Sequence, residues 1–322
     1  MSMKGKSLWR IAPRLICGKR LIFCLALITM ASTDNTRALR WGGLRMKVIP
    51  IYYVDAFTKE CFTGNPAAVC VLTESIEDKY MQLIAKETNL SETAFVQPLE
   101  GQVVHQANRY SLRWFTPKCE VDLCGHATIA TSEILFNRLG INGEQIIYET
   151  KSGRLTARKT DRGISLDFPI DEFSPVALPA AIIEAMGIES YENAIIGKNT
   201  KKLVICLKTK SDVLKLTPDF EKMKNIEFAM TIKGVGVTCS GDEDYDCISR
   251  YFNPWAGINE DPVTGSVHTV LAAYWSKLLN KSELRAYQAS DRGGEMILRI
   301  LTGNRVELIG QAVVVLKGEL YI

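Results

Sequence analysis

Histidine is scarce in this sequence: the 322 residues hold three, His105, His126 and His268. The nine cysteines form no Cys-x-x-Cys pair, and none stands at metal-ligand spacing from a histidine, so no metal centre is expected. Cys17 and Cys24 lie in the first 45 residues, which leaves an odd seven. Of these, Cys70, Cys206 and Cys239 sit in apolar, strand-like runs, where a thiol packs as a small hydrophobe. A reduced, intracellular protein is the simplest reading, and it weighs against secretion. The glycine patterns of Rossmann and P-loop nucleotide sites are missing, as are low-complexity segments. The apolar run at residues 21–32 falls short of the roughly 20 residues that cross a bilayer.

What is present is the composition of a soluble globular protein, 47% hydrophobic and 23% charged, with length enough for two domains. The net charge of +3 hides an uneven split. Residues 1–45 carry nine Lys/Arg and one acid, Asp34, a net of +8, so 3 − 8 leaves −5 on residues 46–322. A mildly acidic body argues against a nucleic-acid surface. Residues 1–45 read as an appendage. Their basic start and short apolar run have the form of a signal peptide, their near lack of acids also fits a mitochondrial presequence, and an extension without an address is the third reading. A cytoplasmic location is expected, with secretory or mitochondrial routing as the alternatives.

Two stretches organise the body. Cys124-Gly125-His126-Ala127-Thr128 opens an apolar run, and Asp261-Pro262-Val263-Thr264-Gly265-Ser266-Val267-His268 opens another. Laying Gly125 on Gly265 places His126 on Ser266, so the chain reads as a diverged internal duplication. The two helices that follow, from Ala127 to about Leu139 and from Val267 to about Leu279, are apolar on most sides and therefore buried on most sides. Residues 77–88 form an amphipathic helix with Met81, Ile84 and Ala85 on one face, and residues 178–186 a short helix. Short strands are expected at residues 48–54, 67–72, 93–96, 110–115, 145–150, 155–158 and 163–168, and again at 203–208, 235–239, 245–252, 296–300, 305–309 and 311–317. Many strands and two buried helices predict two sheets, each wrapped around its own helix.

The first amides of a helix lack internal partners and carry partial positive charge, so two Gly-polar helix mouths facing one cleft suit an anionic substrate. Ordinary capping by Asp261, Thr264 and Ser266 is the competing reading. His126, at the first mouth, would be held neutral by the helix dipole. His268 is better read as a surface residue of a first turn, and nothing favours His105. Glu92, between Ser91 and Thr93, is one acid among many on sequence alone, but beside Leu90, Ala94 and Phe95 it could be half-buried with a raised pKa. Cys124, before Gly125, is expected to have a lowered pKa.

These stretches, with Phe62-Thr63-Gly64-Asn65-Pro66-Ala67-Ala68-Val69, Asn89-Leu90-Ser91-Glu92-Thr93-Ala94-Phe95 and Arg113-Trp114-Phe115-Thr116-Pro117, resemble the PhzF-like family over residues 46–322, in order. The resemblance implies an α+β, diaminopimelate-epimerase-like fold. Its two pseudo-symmetric halves, 46–165 and 166–310, are each a β-barrel around a central helix, and the strand at 311–322 returns to the first half. It implies an isomerase working without cofactor or metal on a small carboxylate, and a homodimer. Glu92 resembles the family's acid–base glutamate, and His126, Asp261 and Ser266 the residues that hold the substrate's polar groups and assist proton movement. Asn65 and the amides of Gly125 and Gly265 would bind substrate. Racemases of the same fold pair two thiols, one at each mouth. Here Thr264 faces Cys124 in the alignment, so a two-thiol mechanism is not available and Cys124 reads as packing. A binding or regulatory protein that keeps the fold is the alternative function.

Overall fold

Short β-branched runs put most of the body into strands. The computed structural model describes residues 39–41, 44–99, 101–228 and 231–322. The expected appendage therefore lies outside the described residues, apart from a hairpin that pairs Leu39–Trp41 with Leu44–Met46.

One order of strand pairings occurs twice. In the first half Val48–Ala56 is antiparallel to Asn65–Val71, which is parallel to Glu92–Pro98. That strand is antiparallel to Arg109–Phe115, which is parallel to Gln145–Thr150. Two antiparallel steps through Gly153–Thr160 then reach Gly163–Pro169. The second half repeats these steps through Asn193–Gly197, Leu203–Cys206, Val235–Ser240, Cys247–Asn253, Glu283–Gln288, Gly294–Leu301 and Arg305–Gly310. A parallel step needs a crossover. Helices supply it at matching places: Asp78–Thr88 in the first half against Lys210–Leu214 and Phe220–Lys224 in the second, then Gly125–Glu133 against Gly265–Leu279. The chain is an α+β fold of two pseudo-symmetric halves.

The halves are joined through backbone pairing. Their last strands, Gly163–Pro169 and Arg305–Gly310, pair with each other. The segment leaving each last strand covers the first strand of the other half: Phe173–Pro175 pairs with Asn193–Gly197, and Ala312–Tyr321 with Val48–Ala56. Gly163–Pro169, which spans the expected division between residues 165 and 166, is bonded on both edges.

The two sheets expected from sequence are one continuous sheet, closed through these pairings, and each half of it wraps a central helix. Val48–Ala56, Asn65–Val71, Glu92–Pro98 and Gly163–Pro169 pack around Gly125–Glu133, and Phe173–Pro175, Glu283–Gln288, Gly294–Leu301 and Arg305–Gly310 around Gly265–Leu279. Residues 126–133 are all buried. The hydroxyls among them are satisfied locally, since Thr128, Thr131 and Ser132 donate to the carbonyls of Cys124, Ala127 and Thr128 at 2.6, 2.7 and 2.8 Å. Both central helices begin two residues earlier than their apolar periodicity implies, at the glycines themselves, and the first ends in a π-helical turn, Ile134–Arg138. Met81, Ile84 and Ala85 are the buried face of Asp78–Thr88. The short helices Lys210–Leu214 and Phe220–Lys224 were not expected, although Thr209 and Asp219 cap them through their side chains. Among the described residues no helix is long and apolar enough to cross a membrane.

The loop before Asn65 is pinned to the second half. Arg292 donates to Gly64 O and to the buried Asp55 carboxylate, both at 2.8 Å, and Gly64 N donates to Gly293 O at 2.8 Å. Gly64 has φ +66°, and a Cβ there would lie 2.2 Å from Ala56 O. Gly303 has a similar φ of +73° with open space around it. Gly64→Ala should therefore cost about 3 kcal/mol and Gly303→Ala about 1 kcal/mol in urea denaturation. Equal losses would show that the contact with Ala56 is relieved cheaply.

Candidate active site

The duplicated fold brings the two helix mouths together. A Cβ on Gly125 would lie 4.0 Å from the Cα of Gly265. The residues preceding the helices, Cys124 and Thr264, are extended, and neither caps its helix through a side chain. The capping reading fails for a geometric reason: Thr264 Oγ1 donates to Asp261 Oδ2 at 2.6 Å instead of turning back onto its helix.

Glu92 is the first residue of Glu92–Pro98, and that strand's parallel pairing with Asn65–Val71 carries it to the first mouth. Its Oε2 lies 3.3 Å from His126 Nε2, with side chains 14% and 8% exposed. Burial raises the Glu92 pKa, opposed by hydrogen bonds from Ser91 and Cys124. His126 is pushed down to about 4, mainly by burial, with the charge of Asp261 pulling the other way. The ring is therefore neutral at pH 7, with burial as the cause. Cys124 reverses its expectation: burial, then the neighbouring Glu92 charge, raise its thiol well above the usual range.

Asp261 is held from three sides. Asn65 Nδ2 donates to its Oδ1 at 2.8 Å, Thr264 to its Oδ2, and its own N–H to Tyr251 O at 3.0 Å. Gln288 completes the clamp, accepting from Thr264 N at 2.9 Å and donating to Asp261 O at 2.6 Å. Burial raises the Asp261 pKa and the Glu92 charge adds to it, opposed by the hydrogen bonds from Thr264 and Asn65.

Glu92, Gly125, His126, Asp261, Gly265 and Ser266 line one cavity of about 550 Å³, together with Cys124 and Thr264, a volume suited to a small ligand. Asn65 departs from its expected role. It is fully buried and off the cavity wall, and its amide holds Asp261 and Val263 O, so in this structure it positions a carboxylate. His268 is also corrected: it is fully buried, with Nδ1 2.7 Å from Thr264 O, and belongs to the helix interior.

Sequence reasoning missed the junction residues Phe168, Pro169, Ile258 and Leu308, which form the apolar wall, and Asp171, whose carboxylate accepts from Asn199 N and Thr200 N at 2.8 Å. It also missed Gln288. These residues carry no local motif; the pairing of the two last strands brings Phe168 and Leu308 to the cavity, and Gln288 stands behind its wall, holding Asp261 and Thr264.

The site is one-sided. Thr93 pairs with Ala68 and Phe115, as Val235 pairs with Leu203 and Phe252, so Gly234 holds the second-half position that Glu92 holds in the first. A Cβ on Gly234 would lie 2.1 Å from Tyr251 Oη, so no side chain fits there as the neighbours stand.

The phenazine biosynthesis-like protein family, PhzC-PhzF, matches residues 54–318. The chain belongs to this family. An uncharacterized isomerase of Halalkalibacterium halodurans is 46% identical over 280 residues, 86% of this chain and all of that one. Mouse phenazine biosynthesis-like domain-containing protein 1 is 42% identical over 284 residues, 84% of this chain and 99% of its own. The crystal structure of a PhzF family protein from Enterococcus faecalis matches with a TM-score of 0.78 at 42% identity, covering 85% of this chain and all of the other. A hydroxyproline epimerase of Agrobacterium vitis is alike in fold alone, at 11% identity and a TM-score of 0.51 over 88% of this chain and 94% of its own. PhzF family membership thus brings an isomerase-like family and an epimerase-like fold to the cavity described above.

The raised Glu92 pKa sets a pH test. Ionising Glu92 is harder in the folded chain than in the unfolded one, so stability falls as pH rises from the unfolded value through the folded one. Glu92→Gln removes that penalty. Its melting temperature should exceed that of the wild type at pH 8, and the difference should shrink as pH falls toward about 4 and be lost below that. A gap independent of pH would mean that Glu92 ionises freely.

Proposed function

We propose that the chain is a cofactor-independent isomerase that moves a proton between carbons of a small carboxylate, with Glu92 as the proton carrier. The observation that carries this reading is the Glu92–His126 pair, 3.3 Å apart, beside two helix ends that no side chain caps. An anion bound at those ends would be met by backbone amides of the first turns, and a developing enolate-like oxygen would be stabilised in the same way. Glu92 takes a proton from one carbon and returns it to another. Its raised pKa makes it a stronger base and lets it hold the proton between the two transfers. Neutral His126 can donate a hydrogen bond without competing for that proton. Asp261 and Ser266 would orient the substrate's polar groups from the second mouth. Because Gly234 stands opposite Glu92 in the pseudo-symmetry, one group serves both transfers, which favours a shift between carbons over inversion by two opposed bases. The apolar wall of Phe168, Ile258 and Leu308 suits a substrate with a hydrocarbon body.

The test is carbon-bound deuterium, read by mass spectrometry, after incubation in heavy water with a panel of small cyclic and amino carboxylates. Wild type should exchange at least one compound, and Glu92→Gln should lower the rate by about 10²–10⁴ while binding persists. Exchange that survives Glu92→Gln sinks the assignment. No exchange across a broad panel, from folded protein that still binds carboxylates, favours a binding protein on the same fold. Ser266→Ala should weaken binding of the exchanged compound by about tenfold, the loss of one hydrogen bond, with little change in the bound-state rate. An unchanged binding constant in calorimetry would remove Ser266 from the substrate contacts.

A further inference from the structure

The acid–base reading leaves Cys124 unused, yet its thiol stands inside the reacting cluster. Sγ lies 3.9 Å from His126 Nε2 and 3.5 Å from Nδ1. The same Nε2 lies 3.3 Å from Glu92 Oε2. One donor atom of each residue falls within 4.8 Å of the others, and all three residues line the cavity. Zinc bonds of about 2.3 Å to sulfur and about 2.0–2.2 Å to nitrogen or oxygen place tetrahedral donors roughly 3.3–3.6 Å apart. The Nε2–Oε2 spacing meets that range, whereas Sγ lies on the Nδ1 side of the ring and reaches an ion held by Nε2 and Glu92 only by a turn of the Cys124 side chain about its Cα–Cβ bond.

We propose that Glu92, Cys124 and His126 form a binding site for a thiophilic divalent metal ion of the zinc type, its fourth position open to cavity water or a carboxylate. The donor set of thiolate, neutral imidazole and carboxylate, with one position left open, is the kind zinc uses. Sulfur and imidazole give magnesium and calcium little hold, since both prefer oxygen. Binding releases the thiol proton to solvent, and the carboxyl proton where Glu92 holds one; nothing is oxidised or reduced. The ion supplies between Cys124 and Glu92 the positive charge that burial otherwise denies to the thiolate. No local cysteine–histidine spacing marks this site, because Glu92 arrives on a separate strand. Metal binding stands apart from the isomerase reading. Its consequence, a metal that silences the enzyme by occupying Glu92 and His126, rests on that reading.

The experiment titrates the full chain with cobalt(II) and follows the visible bands of a tetrahedral ion with the near-ultraviolet thiolate-to-cobalt band. The difference between wild type and Cys124→Ala isolates this site from the other cysteines, including the exposed Cys61 and Cys119. One equivalent of cobalt should produce these bands in wild type, zinc should displace it, and Cys124→Ala should lose them. His126→Asn should weaken binding at least tenfold and serves if Cys124→Ala does not fold. Identical cobalt spectra for wild type and a folded variant overturn the site. Wild type that binds cobalt in this way and keeps full carbon-exchange activity overturns Glu92 as proton carrier and leaves the metal site standing.

Discussion

Two helix N-termini meeting head to head are the constraint on which the rest of this structure depends. Each carries roughly half a positive charge, and Gly125 and Gly265 bring them so close that a Cβ added to Gly125 would touch the Cα of Gly265, in a cavity walled partly by apolar side chains. Left alone, the two ends repel. The protein answers with carboxylates, Glu92 at one mouth and Asp261 near the other, and buries both enough to raise their pKa values. The result is a site short of negative charge whenever those groups hold protons, which is the electrostatic basis for proposing an anionic ligand.

Holding the ends together requires halves that cannot drift apart. Backbone pairing does this more firmly than a side-chain interface would. The last strands of the two halves pair with each other, and the segment leaving each one covers the first strand of the other half. Arg292 adds a local tie by bonding the loop before Asn65 and the buried Asp55. Asn65 in turn fixes Asp261, so the carboxylate at the second mouth is positioned by a strand of the first half.

Symmetry of scaffold coexists with asymmetry of chemistry. The two halves repeat one order of strand pairings and one placement of helices, but Glu92 answers to Gly234, His126 to Ser266 and Cys124 to Thr264. A site with opposed, matched groups would serve inversion at one carbon. This site has a carboxylate at one mouth and a differently polar second mouth, the asymmetry on which the proposed transfer along one molecule rests. The same divergence leaves a thiol, an imidazole and a carboxylate clustered at one mouth only.

The local chemistry was legible in the sequence. Glycine followed by a polar residue and a long apolar run marked both helix mouths, short β-branched runs marked most strands, and the alignment of Gly125 with Gly265 marked the duplication. Motif resemblance pointed to Glu92, His126, Asp261 and Ser266, all of which reach the cavity. The limits appear at particular residues. Asn65 carries the same motif signal as its neighbours, but strand register turns it toward Asp261 and away from the cavity. His268 falls in the first turn of its helix, where exposure is common, yet the surrounding sheet buries it. Cys124 was expected to have a lowered pKa from its helix end, but desolvation beside Glu92 raises it. Sequence by itself determined what each segment becomes, because capping, turn formation and side-chain periodicity act over a few residues. Only the tertiary structure decided which segments meet, how far each group is removed from water and therefore which protons it holds, because those depend on strand register and burial across the whole chain.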